Sequence, residues 1–164
     1  MTQRRLVLAV AFVTLLPIWA STDAWARPKL LKSAPEILAA LKAGSGVHAV
    51  FHYKDMKLTD SEGKESSAPD ATGGMALDTW EYFAAGSIGN PVGYIATSSA
   101  HLIRHPRHGY VLNYVKVSVY DNGQVKIVAQ YLEPVTYEVK MDETFTTQVA
   151  DGKNKAGAFF FVGD

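Results

Sequence analysis

The chain has 164 residues, with 16 basic and 16 acidic side chains and no cysteine. A formal charge of zero gives no basis for nucleic acid or an anionic membrane as a partner. A chain without thiols has neither disulfides nor thiolate metal ligands, so its stability must come from a packed core, which this length supports.

Arg4 and Arg5 precede an apolar run over residues 6–20, and Ala24-Trp25-Ala26 then offers a small-x-small cleavage site. This is the pattern of a secretory signal peptide over residues 1–26, cut after Ala26. The run is about 15 residues, short of the roughly 20 that span a bilayer, which argues against a retained anchor. No cysteine follows that could carry a lipid. The Arg4-Arg5 opening loosely resembles a twin-arginine signal, but no cofactor motif accompanies it. Residues 27–164 are then expected to form a single antiparallel β-rich domain, periplasmic or secreted, with no membrane anchor after cleavage.

Ser33-Ala34-Pro35-Glu36 is a capping-box pattern, and Ile37, Leu38 and Leu41 follow on one helical face, with Gly44 as a stop. A helix over residues 34–43 is predicted. Residues 46–54 read as a strand with Val47, Ala49, Phe51 and Tyr53 on one side and His48 and His52 on the other. In a strand those histidines lie roughly 13 Å apart, too far for one metal ion. Residues 55–74 read as a solvated loop. Residues 75–83 are ambiguous between helix and strand, with strand favoured, and the Gly-rich turn at 86–91 ends them. Residues 92–104 read as a further strand, although 98–103 is compatible with a helical turn. Residues 156–162 supply a final short strand.

Residues 110–147 carry the strongest alternation: three strands joined by two turns. At Asp121-Asn122-Gly123 two registers compete. A two-residue turn pairs Val119 with Lys126. A three-residue loop with Gly123 left-handed pairs Val119 with Val125, Val117 with Ile127 and Val115 with Ala129. One residue of slip exchanges the faces, so burial selects the second. A turn at Glu133-Pro134-Val135 then pairs Tyr131 with Tyr137, Ala129 with Val139 and Ile127 with Met141. Asn113, Tyr131 and Tyr137 become a polar row on an apolar face; His101 joins it if Arg104 pairs with Tyr110, and a shift of one residue puts Ala100 there instead. Buried polar groups are costly unless partnered. The row either satisfies itself or meets water at a rim, or it forms the polar end of a ligand cavity walled by Val111, Val115, Ala129 and Val139. His101, His105 and His108 lie close in sequence, but Pro106 breaks any helix through them, and a basic turn facing water is the simpler reading. No nucleophile elbow, P-loop or dinucleotide fingerprint is present.

The segments GGMALDTWEYFAAGSIGNP, HPRHGYVLNYVKVSVYDNGQV and TYEVKMDETFTT resemble the VirK family of small exported bacterial proteins. The resemblance covers most of the chain after the leader. It implies an exported bacterial protein, in a family named for a virulence locus of a plant-associated bacterium. It brings no catalytic residues.

The expected fold is α+β: a strongly curved antiparallel sheet of six to eight strands, a meander, wrapped over one N-terminal helix, with a small closed β-barrel as the alternative. The expected function is a non-enzymatic binding or accessory protein with a candidate ligand site at His101, Asn113, Tyr131 and Tyr137. Its partner would be a small apolar ligand or an envelope or extracellular protein. No metal or cofactor is implied. The alternatives are a purely structural partner protein and a cofactor-independent enzyme. The enzyme would use His101, or a carboxylate such as Asp78, Asp142 or Glu143, in acid–base catalysis. N-terminal sequencing of exported material should begin at Arg27; an intact Met1 would overturn the leader reading.

Overall fold

The computed structural model describes residues 28–163; the leader expected over 1–26 lies outside them. In chain order the elements are β1 Lys29–Leu31, α1 Ala34–Lys42, β2 Val47–His52, a 3-10 turn Tyr53–Asp55, β3 Lys57–Asp60, β4 Glu65–Ser67, β5 Thr72–Ala76, β6 Trp80–Phe83, β7 Tyr94–His105, β8 Gly109–Tyr120, β9 Gln124–Leu132, β10 Val139–Gln148 and β11 Ala158–Val162. They form two open sheets, one of four strands in the order β1-β11-β2-β5 and one of seven in the order β4-β3-β10-β9-β8-β7-β6. All their strand pairings are antiparallel.

The single curved sheet of six to eight strands is therefore corrected to two sheets, and the closed barrel is not formed. The difference has a local cause. The segment expected as a solvated loop holds β3, β4 and the start of β5. Leu58 is the one buried residue of β3 and β4 has none, so neither carries a readable period. The strand expected over 75–83 is divided between the sheets, with β5 in the smaller and β6 in the larger. Strand β7, by contrast, runs unbroken through the residues compatible with a helical turn.

Helix α1 forms as its caps dictate. The Ser33 hydroxyl accepts the Glu36 N–H at 3.4 Å, while the Glu36 carboxylate accepts the Lys32 N–H at 2.9 Å. Ala34, Ile37 and Leu41 are its buried face. They join Val47, Ala49, Phe51 and Phe160 of the smaller sheet and Ile95, Val117, Val119, Val125, Ile127 and Phe145 of the larger in one core. The helix thus shares a core with both sheets.

The register of β8 with β9 is the three-residue form: Val119 faces Val125, Val117 faces Ile127 and Val115 faces Ala129. Gly123 sits at φ +84°, in the left-handed region where a Cβ is strained. The register of β10 is corrected. Tyr131 faces Met141, Ala129 faces Glu143 and Ile127 faces Phe145. The Glu133 carboxylate accepts the N–H groups of Val135 and Thr136 and the Thr136 hydroxyl, and the Tyr137 N–H reaches the Glu133 carbonyl. These bonds make residues 133–138 a longer loop, with Tyr137 itself at φ +58°. The slip is an even number of residues, so Phe145 keeps its inward face. A bulge between Val139 and Met141 turns Val139 outward, opposite Leu132.

Val117 and Ile127 are both fully buried and opposite one another. Val117→Ala should lower stability by about 1–3 kcal/mol in urea titration by leaving a cavity. Gly123→Val should destabilise as well, through backbone strain. Parent-like midpoints for both variants would mean that this face is not the core.

Candidate binding face and the polar row

The structure brings three of the four expected site residues into one row and places the fourth elsewhere. His101 faces Asn113, Asn113 faces Tyr131, and the next member is Met141. Tyr137 is 64% exposed in the 133–138 loop, and Val139 is 50% exposed on the opposite face, so neither contributes to a cavity on the inner side. No hydrogen bond joins the row's members; His101 instead meets the Ser99 hydroxyl, with Nε2 at 2.8 Å from Oγ. Asn113 and Tyr131 are half-buried, and no buried side-chain polar atom lacks a partner among the described residues.

The surroundings of Tyr131 are aromatic. Its ring centroid lies 5.0 Å from that of His105 and 6.3 Å from that of His108, and the two imidazoles stack at 4.8 Å. Burial, and after it the neighbouring Tyr131 phenol, push the Tyr53 phenol up. Tyr53 packs against Phe145 at 4.7 Å, and a side chain at Gly73 would come within 3.0 Å of its ring. Gly73 is thus the close approach that lets Tyr53 close the inner end between the sheets. Burial, then the charges of His108 and Arg107, hold His105 below the ordinary histidine value. Among the described residues no group of three or more His, Cys, Asp or Glu is placed to hold a metal ion.

A cleft of about 400 Å³ separates β5 from the part of β7 beyond β6, lined by Gly74, Met75, Asp78, Thr79, Ser99 and His101 among others. Two further concavities lie on the outer face of the seven-stranded sheet. One of about 290 Å³ is lined by Phe83, Tyr94, Ser98, Tyr114 and Lys116, with Glu81 at its side. Another of about 510 Å³ is lined by Tyr94, Lys116, Ser118, Tyr120, Lys126 and Val128, with Asn90 and Pro91 at its rim. The two share Tyr94 and Lys116 and so form one groove. Phe83 stacks on Tyr94 at 5.2 Å, and Tyr94 meets Tyr120 at 5.5 Å. The Asn90 amide holds the rim by donating to the carbonyls of Ala84 and Val92. Lys116 and Lys126 are exposed and form no ion pair among the described residues. Sequence reasoning passed over these residues because they alternate on the wet face of the meander. The available signal was that tyrosines at 94, 114 and 120 share that face with the lysines.

The sequence profile of the VirK protein family matches residues 30–137. The chain belongs to the VirK family. A crystal structure of a VirK family protein from Legionella pneumophila aligns with a TM-score of 0.60 at 16% identity, over 80% of this chain and 98% of that one. At that identity the likeness concerns the fold alone. No curated protein matches the chain.

The lowered His105 value works in a defined direction. A histidine whose folded value is depressed contributes stability that is present above its unfolded value, near 6.5, and lost as pH falls. In a ¹H–¹⁵N NMR titration His105 should titrate below 6.5, and the Tyr131 ring signals should shift with it. Titration of His105 at or above that value would show that the stack does not shield it.

Proposed function

We propose that this VirK family member is an exported, non-enzymatic binding or accessory protein of the bacterial periplasm or exterior, and that its ligand lies in the groove on the outer face of the larger sheet. The leader pattern of Arg4, Arg5 and Ala24-Trp25-Ala26 supports export. The observation that carries the binding role is the groove shared by Tyr94 and Lys116. It has aromatic walls for a flat or apolar body and ammonium groups free for an anion. We assign Asn113 and Tyr131 to packing and to the wet rim of the inner face. Native mass spectrometry of the protein isolated from the exported fraction should show a small molecule bound. Tyr94→Ala with Lys116→Ala should lose that molecule while melting at nearly the parent temperature. Retention of the molecule by this variant would remove the groove from the reading.

A second reading rests on the cleft beside β5. Ser99 and His101 are in hydrogen-bond contact there, and Asp78 lines the same cleft. The bonds from Leu77 N–H to Val47 and from Tyr53 N–H to Ala71 make the odd residues of β5 the ones that face β2. The N–H groups of Gly74 and Ala76 therefore point to the free edge. A hydroxyl with a base, beside a strand edge that offers an unused backbone donor, suits attack on an ester carbonyl, with His101 taking the Ser99 proton and returning it to the leaving alcohol before water releases the acyl group. Hydrolysis of p-nitrophenyl acetate above the solution rate, abolished in Ser99→Ala, would favour this enzyme over the binding protein.

A further inference from the structure

Leu102, Leu112, Leu132 and Val139 lie opposite one another in register across four strands, on the same outer face as Lys116 and Lys126. Leu102 is 60% exposed, and Leu112 and Leu132 are half-buried. The wet face of an antiparallel sheet is ordinarily polar, and a contiguous aliphatic row across it is a surface that binds something. Along β8 the outward residues run Ser118, Lys116, Tyr114, Leu112, from cationic through aromatic to aliphatic. Lys116 and Lys126 are diagonal neighbours, since Lys116 faces Val128 and Ser118 faces Lys126. The acidic groups that the register places on this face are Glu81, at the β6 side, Asp142, in the Tyr114 row, and Glu65, at the far β4 edge, where it pairs with Lys57; none pairs with Lys116 or Lys126. Asp142 disfavours an anion midway and leaves the lysine end as its place. From Lys116 to Leu112 is about 13 Å along the strand.

Resting on the groove reading above, we propose that the ligand is a single-chain anionic amphiphile. Its carboxylate or phosphate head sits on Lys116 and Lys126, and its hydrocarbon chain passes Tyr114 and covers the Leu102, Leu112, Leu132, Val139 row. Head and tail contacts lie side by side in the plane of the sheet, which suits one molecule stretched along the strands. A bilayer would instead require the aliphatic residues to stand foremost with the lysines around them.

Isothermal titration with tetradecanoate below its micellar concentration tests this on the purified protein. One molecule should bind per chain. Lys116→Ala with Lys126→Ala should weaken it at least tenfold, as should Leu102→Ser with Val139→Ser, while circular dichroism melts stay near the parent curve. Tetradecyltrimethylammonium should not bind. Equal affinity of the parent and the lysine variant, or uptake only by phosphatidylglycerol vesicles, would overturn the proposal. If tetradecanoate fails to bind but a co-purified molecule is still lost on the Tyr94→Ala, Lys116→Ala change, the amphiphile falls and the groove stands. If neither the fatty acid nor any co-purified molecule responds, both fall.

Discussion

The inward and outward faces of the larger sheet are decided at Gly123. With that residue left-handed, β8 and β9 pair so that Val117, Val119, Val125 and Ile127 point one way. A slip of one residue would set Lys126 against Val119 and send the core to water. The same choice sends Tyr114, Lys116, Ser118 and Tyr120 outward together. The hydrophobic core and the candidate binding face are thus two sides of one turn, and a register slip that displaced one would displace the other.

The sheets are joined at a corner rather than merely stacked. Strand β2 belongs to the smaller sheet and β3 to the larger, and the 3-10 turn at Tyr53–Asp55 carries the chain between them. Tyr53 fills that corner against Phe51 and Phe145, one aromatic from each sheet. The chain also crosses at β4 to β5, at β5 to β6 and at β10 to β11; in the last, Val149 makes a parallel bridge to Ala158 and the Ala150 N–H bonds the Ala158 carbonyl. At this corner the Gly157 position has no room for a Cβ, which would stand 2.6 Å from the His52 carbonyl oxygen.

The central meander could be read from sequence because its strands alternate apolar and polar side chains around buried Val117, Val119, Val125, Ile127 and Phe145, and its first turn uses a residue with one special conformation. The sequence leaves two registers open for β7, one residue apart, with His101 or Ala100 opposite Asn113; the structure has Arg104 facing Tyr110 and His101 facing Asn113. The β10 register could not be read, because a carboxylate side chain substitutes for backbone in the 133–138 loop, and nothing in the apolar pattern reports its length. Even so, the error was even, so Met141 and Phe145 keep the expected face with different neighbours, while the bulge turns Val139 outward. Tyr137 left the polar row for that reason. The short strands β3 and β4 were hidden because strands stabilised mostly by a partner's backbone need little hydrophobic pattern of their own. The groove was harder still: its residues come from alternate positions of four strands and look like ordinary solvent-facing ones until the strands are set side by side.

The place of β11 in the smaller sheet has a kinetic consequence. Strand β11 lies between β1 and β2, and β1 has no other strand partner. Within the meander from β6 to β10 each pairing joins sequence neighbours, so those loops close cheaply as soon as the residues exist; only its last strand, β10, takes a distant partner, β3. The smaller sheet cannot close until residues 158–162 meet residues 47–51, across nearly the whole domain. Its earliest strands therefore wait, unpaired on that side, for its latest one. Such an arrangement delays completion of the native state until the last strand has been delivered, which suits the export proposed above.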